Sequence, residues 1–147
     1  MYIELHARSA FSFLTGASLP EELARVCAER EMPAMAMLDR DGVYGAPRFH
    51  MAAKQNNVRA LIGAEVTSDE GWRYPLLVES RQGYQNLCRL ITRMKLRACK
   101  GEGQVSRDEF ADSTAGLICL TGGEEGPLAH ALASGGMENA TRCMQQL

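Results

Sequence analysis

No two of the five cysteines form a C-x-x-C pair: Cys27, Cys88, Cys99, Cys119 and Cys143 are odd in number and widely scattered. That pattern argues against a disulfide framework or zinc knuckle and favours buried, reduced thiols in a cytoplasmic protein. Long apolar runs are missing as well. None approaches the roughly 20 residues that span a bilayer, so no membrane crossing is expected. The opening Met-Tyr-Ile-Glu-Leu-His has neither a basic n-region nor an apolar h-region, so no signal peptide is expected. Neither G-x-x-x-x-G-K nor G-x-G-x-x-G occurs. Gly42, Gly45, Gly122 and Gly123 therefore read as tight strand-to-helix turns rather than phosphate cradles. Ser9 and Ser12 have no base nearby in the pattern, which argues against nucleophilic catalysis. An excess of one charge is also lacking. Sixteen Lys and Arg against 18 Asp and Glu leave a net charge of −2, giving no global attraction to nucleic acid. Internal repeats and low-complexity stretches are absent.

What is there fits one globular domain. The chain has 147 residues, 46% hydrophobic and 23% charged, enough for a sizeable core. Strand and helix signals alternate. Residues 2–6 read as a strand, with Ile3 and Leu5 on one side. Ser18-Leu19-Pro20-Glu21 has capping-box spacing with a proline in the first turn, and the helix after it carries Leu23, Val26 and Cys27 before ending ahead of Pro33. Residues 34–38 are a continuous apolar run, as in a strand buried on both faces of a parallel sheet. A helix is expected over 48–56, strands over 59–66, 73–78 and 117–121, and helices over about 126–134 and 138–147. This rhythm predicts an α/β fold with a mostly parallel sheet.

The stretch between Glu79 and Glu102 contains no acidic residue, yet it holds Arg81, Arg89, Arg93, Lys95, Arg97 and Lys100. At helical spacing Arg89, Arg93 and Arg97 share a face, opposite Tyr84, Leu87, Ile91 and Met94. Two readings stand. One is a solvated charged face above a core stripe. The other is a surface for nucleic acid or an acidic partner, since like charges at i,i+4 repel without a counter-charge. His50 and His130 fall in predicted helices with no ligand partner at i+4 and read as surface or packing residues. Trp72 and Tyr74 read as strand packing rather than a base-stacking platform.

Polar residues recur where strands end: His6 after the first, Asp39 after the second and Glu65 near the end of the third. Polynuclear metal sites gather His and carboxylate ligands at such positions. The segments Glu4-Leu5-His6-Ala7-Arg8-Ser9-Ala10-Phe11-Ser12-Phe13-Leu14, Ala34 to Gly45 and Ile62-Gly63-Ala64-Glu65 closely resemble the PHP (polymerase and histidinol phosphatase) domain. The version they resemble is the N-terminal domain of bacterial C-family DNA polymerases. Residues 83–90 and 116–123 add to the likeness, and residues 94–103 are closer to the error-prone branch than to the replicative one.

The resemblance implies a distorted α/β barrel, here partial, with the chain as its N-terminal portion over 1–147. The last strands and the D-x-H motif are expected beyond Leu147, and the polymerase palm is absent. It also implies a metal pocket whose donors have changed. His6 matches the first histidine of the family's H-x-H, and Glu65 the bridging carboxylate. Arg8 and Arg40 stand where histidines are expected, and Arg73 does so by a looser alignment. Arginine is permanently cationic and has no lone pair for a metal. The expectation is a degenerate pocket of His6, Arg8, Asp39, Arg40, Asp41, Glu65 and Arg73 in which guanidinium groups replace bound ions and pair with the carboxylates. No metal or cofactor is expected in this segment, magnesium belonging to the whole polymerase.

The implied function is a structural scaffold for an error-prone, translesion or DNA-repair polymerase. The alternative is a metal-dependent phosphoesterase or 3′–5′ proofreading exonuclease. Implied partners are the remainder of the polymerase, DNA and accessory replication or translesion proteins, with Arg89, Arg93, Arg97 and Lys100 as the face toward DNA or a partner. Unpaired edges of a partial barrel also lead to the expectation of a homodimer.

Overall fold

A computed structural model describes residues 2–99 and 101–147. The chain forms two compact units, Met1–Glu65 and Val66–Leu147. Strand order through the sheet is β1 (Glu4–Ala7), β2 (Ala34–Arg40), β3 (Arg59–Thr67), β4 (Arg73–Val78) and β5 (Leu117–Cys119). Among the described residues no pairing closes β5 onto β1, consistent with the expected partial barrel.

In the first unit β1 pairs parallel to β2, and β2 parallel to β3, in a register that sets Asp39 beside Ala64 and Arg40 beside Glu65. The first six residues of β2 are all buried. The uninterrupted apolar run that predicts this strand is the pattern of a sheet covered on both faces. Helices α1 (Pro20–Glu29) and α2 (Ala46–Gln55) supply cover. Ala24, Cys27, Met35, Met37, Phe49, Ala52, Ala53 and Val58 form one cluster, with Leu23 and Ile62 packed against it. Phe49 is its largest fully buried side chain. Truncating such a residue to Ala costs about 3–5 kcal/mol.

The cap of α1 lies one residue later than its sequence suggests. Leu19 occupies the N-cap and its amide donates to Glu22 Oε2 at 3.0 Å, so Glu22 rather than Glu21 closes the turn. Pro20 in the first turn is compatible with this shift, because no intrahelical partner is needed there. Glu21 is then available to Arg48, which it engages in an exposed ion pair.

In the second unit β4 and β5 run antiparallel, with Leu77 opposite Ile118. Helix α3 (Arg81–Arg97) buries Leu87, Leu90, Ile91 and Met94, much as the predicted apolar stripe requires, while Tyr84 stays exposed. Its N-cap is Ser80, whose Oγ accepts from the Gly83 amide at 3.1 Å. A short helix α4 (Arg107–Ala111), absent from the sequence expectations, starts at a capping box between Ser106 and Glu109. Helix α5 covers Pro127–Met144 but breaks at Gly136, where φ is +65°. That break separates the two helices expected over 126–134 and 138–147, and glycine is the residue that adopts this backbone with least strain. Trp72 stacks on His130 with ring centroids 3.9 Å apart, and Tyr74 meets Phe110 at 4.8 Å. Both pairs bear out the packing reading of these side chains. All five cysteines are free thiols. No helix among the described residues is long and apolar enough to cross a membrane.

Candidate functional site

The first unit gathers its polar residues at the C-terminal ends of β1, β2 and β3, where parallel register aligns the strand ends. Glu65 is about 1% exposed. His6 Nε2 lies 2.9 Å from Glu65 Oε1, and Arg8 Nη2 lies 2.6 Å from the same oxygen. Burial works to raise the Glu65 carboxyl. Hydrogen bonds from His6 and Arg8, with the charge of Arg8, outweigh it and hold the group below the ordinary carboxylate range. His6 and Arg8 thus converge on a single carboxylate oxygen of Glu65. Glu4 fixes the strand end further, its Oε1 accepting from the His6 amide at 2.8 Å.

Asp39 is also about 1% exposed, but hydroxyl and amide groups surround it. Its Oδ1 accepts from the Ser9 amide at 2.9 Å, Ser9 Oγ at 2.8 Å and Ser12 Oγ at 2.8 Å. Its Oδ2 accepts from Ser9 Oγ at 2.9 Å and the Gly45 amide at 3.3 Å. Ser12 Oγ in turn accepts from the Arg40 amide at 3.0 Å. This corrects the expectation that guanidinium groups offset Asp39. Neutral donors from two loops satisfy the buried carboxylate, and Asp39 ties the loop after β1 to the loop after β2. A Cβ on Gly45 would stand 2.8 Å from Asp39 Oδ2, and one on Gly16 would stand 2.0 Å from the Ser9 carbonyl oxygen. Only glycine lets these loops close so tightly.

The other arginines are placed unevenly. Arg40 points its Nε toward Asp41 Oδ2 at 3.7 Å, with the Arg40 side chain 41% exposed. Arg73 lies in the second unit and pairs there with Glu125. On α3, Arg97 Nη2 lies 2.6 Å from Glu109 Oε2, and it also bonds the Gln104 carbonyl oxygen. Hydrogen bonding to Arg97 lowers the Glu109 carboxyl to about 2. Lys100 lies outside the described residues. The structure thus brings His6, Arg8 and Glu65 together and sets Asp39 in its own shell of donors.

Sequence reasoning missed the donors Ser9 and Ser12 and the cap partner Glu109. A signal for each was present: two serines three residues apart facing a buried strand-end aspartate, and the Ser106-x-x-Glu109 spacing.

Among the described residues no group of three or more His, Cys, Asp or Glu side chains could hold a metal ion. Arg8 and His6 both meet Glu65 Oε1, and five hydrogen bonds engage Asp39.

The PHP domain family model matches residues 4–147. The chain is 38% identical over 158 residues to an error-prone DNA polymerase of Mycolicibacterium paratuberculosis, covering 99% of this chain and 14% of that protein. It is 41% identical over 130 residues to one of Pseudomonas fluorescens, covering 87% of this chain and 12% of that protein. The chain thus spans only about an eighth of the length of these relatives. Two solved structures share the fold. One is an amidohydrolase from Chromobacterium violaceum, with TM-score 0.51, 17% identity and coverage of 99% of this chain and 54% of that one. The other, described as a metal-dependent phosphoesterase from Bifidobacterium adolescentis, has TM-score 0.50, 16% identity and coverage of 76% and 49%. With a matched model over almost its whole length, the chain belongs to the PHP domain family.

Proposed function

We propose that the chain is the N-terminal PHP module of an error-prone, translesion-type DNA polymerase, and that it supports the polymerase rather than cleaving phosphate esters. The observation that carries this reading is the Arg8 guanidinium 2.6 Å from Glu65 Oε1, with His6 on the same oxygen. A fixed cation beside the buried carboxylate supplies the charge that a metal ion would otherwise provide, and it needs no ligand exchange. Asp39, engaged by Ser9, Ser12 and Gly45, acts as a loop clamp in the same scheme. The identity to error-prone polymerases supports the parent activity, and nucleotide addition belongs to the parts of such a polymerase outside this chain. Its proposed partners are those parts, DNA and the accessory replication proteins of a cytoplasmic enzyme.

A residual phosphoesterase or proofreading exonuclease is the second reading. It is favoured by His6 and Glu65 lying 2.9 Å apart at strand ends and by the fold shared with a protein described as a metal-dependent phosphoesterase. Elemental analysis of the purified chain, with a nuclease assay in added manganese, separates the two. The scaffold reading expects no stoichiometric zinc, manganese or iron and no difference in hydrolysis between the parent and Glu65→Ala. A bound metal, or chelator-sensitive hydrolysis that Glu65→Ala abolishes, would overturn it.

A further inference from the structure

Helix α3 carries its basic side chains in an unusual arrangement. Arg81, Arg89 and Arg93 are exposed, and they lie on the i,i+4 row that also holds exposed Gln85. Exposed Gln82 and Thr92 lie beside that row. No acidic side chain occurs between Glu79 and Glu102. Arg97, the next member of the row, is held by Glu109 and the Gln104 carbonyl oxygen. Among the described residues no ion pair engages Arg81, Arg89 or Arg93. The fold has neutralised one end of the row and left the remainder to solvent.

Like charges at i,i+4 oppose helix formation, and a chain of net charge −2 had many acidic residues with which to balance them. We infer that the Arg81–Arg89–Arg93 face of α3 is a binding surface for the phosphate backbone of nucleic acid, reading charge and not sequence. Residues four apart on a helix advance by about 6 Å, close to two steps of about 3.4 Å along one strand of a duplex. Guanidinium groups bond phosphate oxygens bidentately, and Gln82, Gln85 and Thr92 are neutral donors of the kind that line phosphate contacts. An acidic protein would call for complementary carboxylates at fixed positions. Arginines recurring on one i,i+4 row, with neutral donors between them, suit a repeating polyanion better. This inference stands on the second unit alone and is independent of the site at Glu65.

The test is fluorescence anisotropy of the 147-residue chain with labelled 20-mer single-stranded and duplex DNA, from 20 to 200 mM salt. Three phosphate contacts give a log–log salt slope of about −2 on single strands and about −2.7 on duplex. Arg89→Glu with Arg93→Glu should weaken binding at least tenfold, and the milder Arg89→Gln with Arg93→Gln should weaken it less. Arg30→Glu, exposed at the end of α1, should leave it unchanged. Thermal melts of each variant check that the fold survives, and the Gln pair keeps the test valid if the Glu pair unfolds. Absence of binding at 20 mM salt, equal binding by the Gln pair and the parent, or tighter binding to polyglutamate than to DNA would overturn the inference.

Discussion

Replacing Glu65 by Gln keeps the shape of the side chain and its acceptor oxygen but removes the charge opposite Arg8. Glu65 is about 1% exposed, whereas the Arg8 side chain is 26% exposed. Removing one member of a buried ion pair costs about 3–5 kcal/mol when the other is left fully desolvated. Water reaches part of Arg8 and recovers some of that charge, so the expected loss for Glu65→Gln at pH 7 is about 2–3 kcal/mol. At about 2–4 °C per kcal/mol for a chain of this size, the melting temperature should fall by about 4–12 °C. The pH dependence supplies the sharper check. Hydrogen bonds and charge hold the folded carboxyl below its ordinary value. The stabilisation it provides is therefore complete above the unfolded value and disappears as pH falls through the folded one. The gap between the parent and Glu65→Gln should therefore start to close only below the ordinary Glu range and vanish as pH falls through the lower folded value. Calorimetry from pH 3 to 8 measures this directly, and a double-mutant cycle with Arg8→Met should return a coupling of about 1–2 kcal/mol. A variant within 0.5 kcal/mol of the parent at pH 7, or a gap that widens toward pH 3, would refute the ion-pair account.

Ser12→Ala removes a donor to Asp39 and the acceptor of the Arg40 amide, and should lower stability by about 1–3 kcal/mol in chemical denaturation. Leu14 has φ of +63° and is 89% exposed, so Leu14→Gly should relieve backbone strain and raise stability by about 0.5–1 kcal/mol. Glu109 should titrate in a carbon-detected NMR experiment with a midpoint of about 2, and Arg97→Ala should return it toward the ordinary range. Because that folded value is depressed, any stability from the Arg97–Glu109 pair should be present above about pH 4.5 and be lost toward pH 2. Gly45→Ala, with its new Cβ 2.8 Å from Asp39 Oδ2, should cost about 1–3 kcal/mol by the same denaturation measurement.

Much of the fold was legible because burial leaves a mark on local pattern. The apolar run at residues 34–38 announced β2, the stripe of Leu87, Ile91 and Met94 announced α3, and residues 73–78 announced β4. Boundaries near polar groups were harder. The cap at Leu19 depends on which glutamate turns back, and α4 spans only five residues, too few for periodicity to register. At the site, the strand-end positions of His6, Asp39 and Glu65 were visible in order along the chain, as were the arginines Arg8 and Arg40 beside them.

The sequence alone settled which chemical groups are on hand: arginines without lone pairs near the ends of two strands, a buried-strand pattern, and an acid-free basic helix. The partner of each group was decided by tertiary structure. Arg8 reaches Glu65 from 57 residues away, Ser9 and Ser12 close on Asp39 across about thirty, and Glu109 claims Arg97 from a neighbouring helix. The reason is physical. Local pattern records whether a side chain is hidden from water, but a charge is satisfied by whatever the folded backbone brings within about 3 Å, and that distance exists only after the strands have aligned.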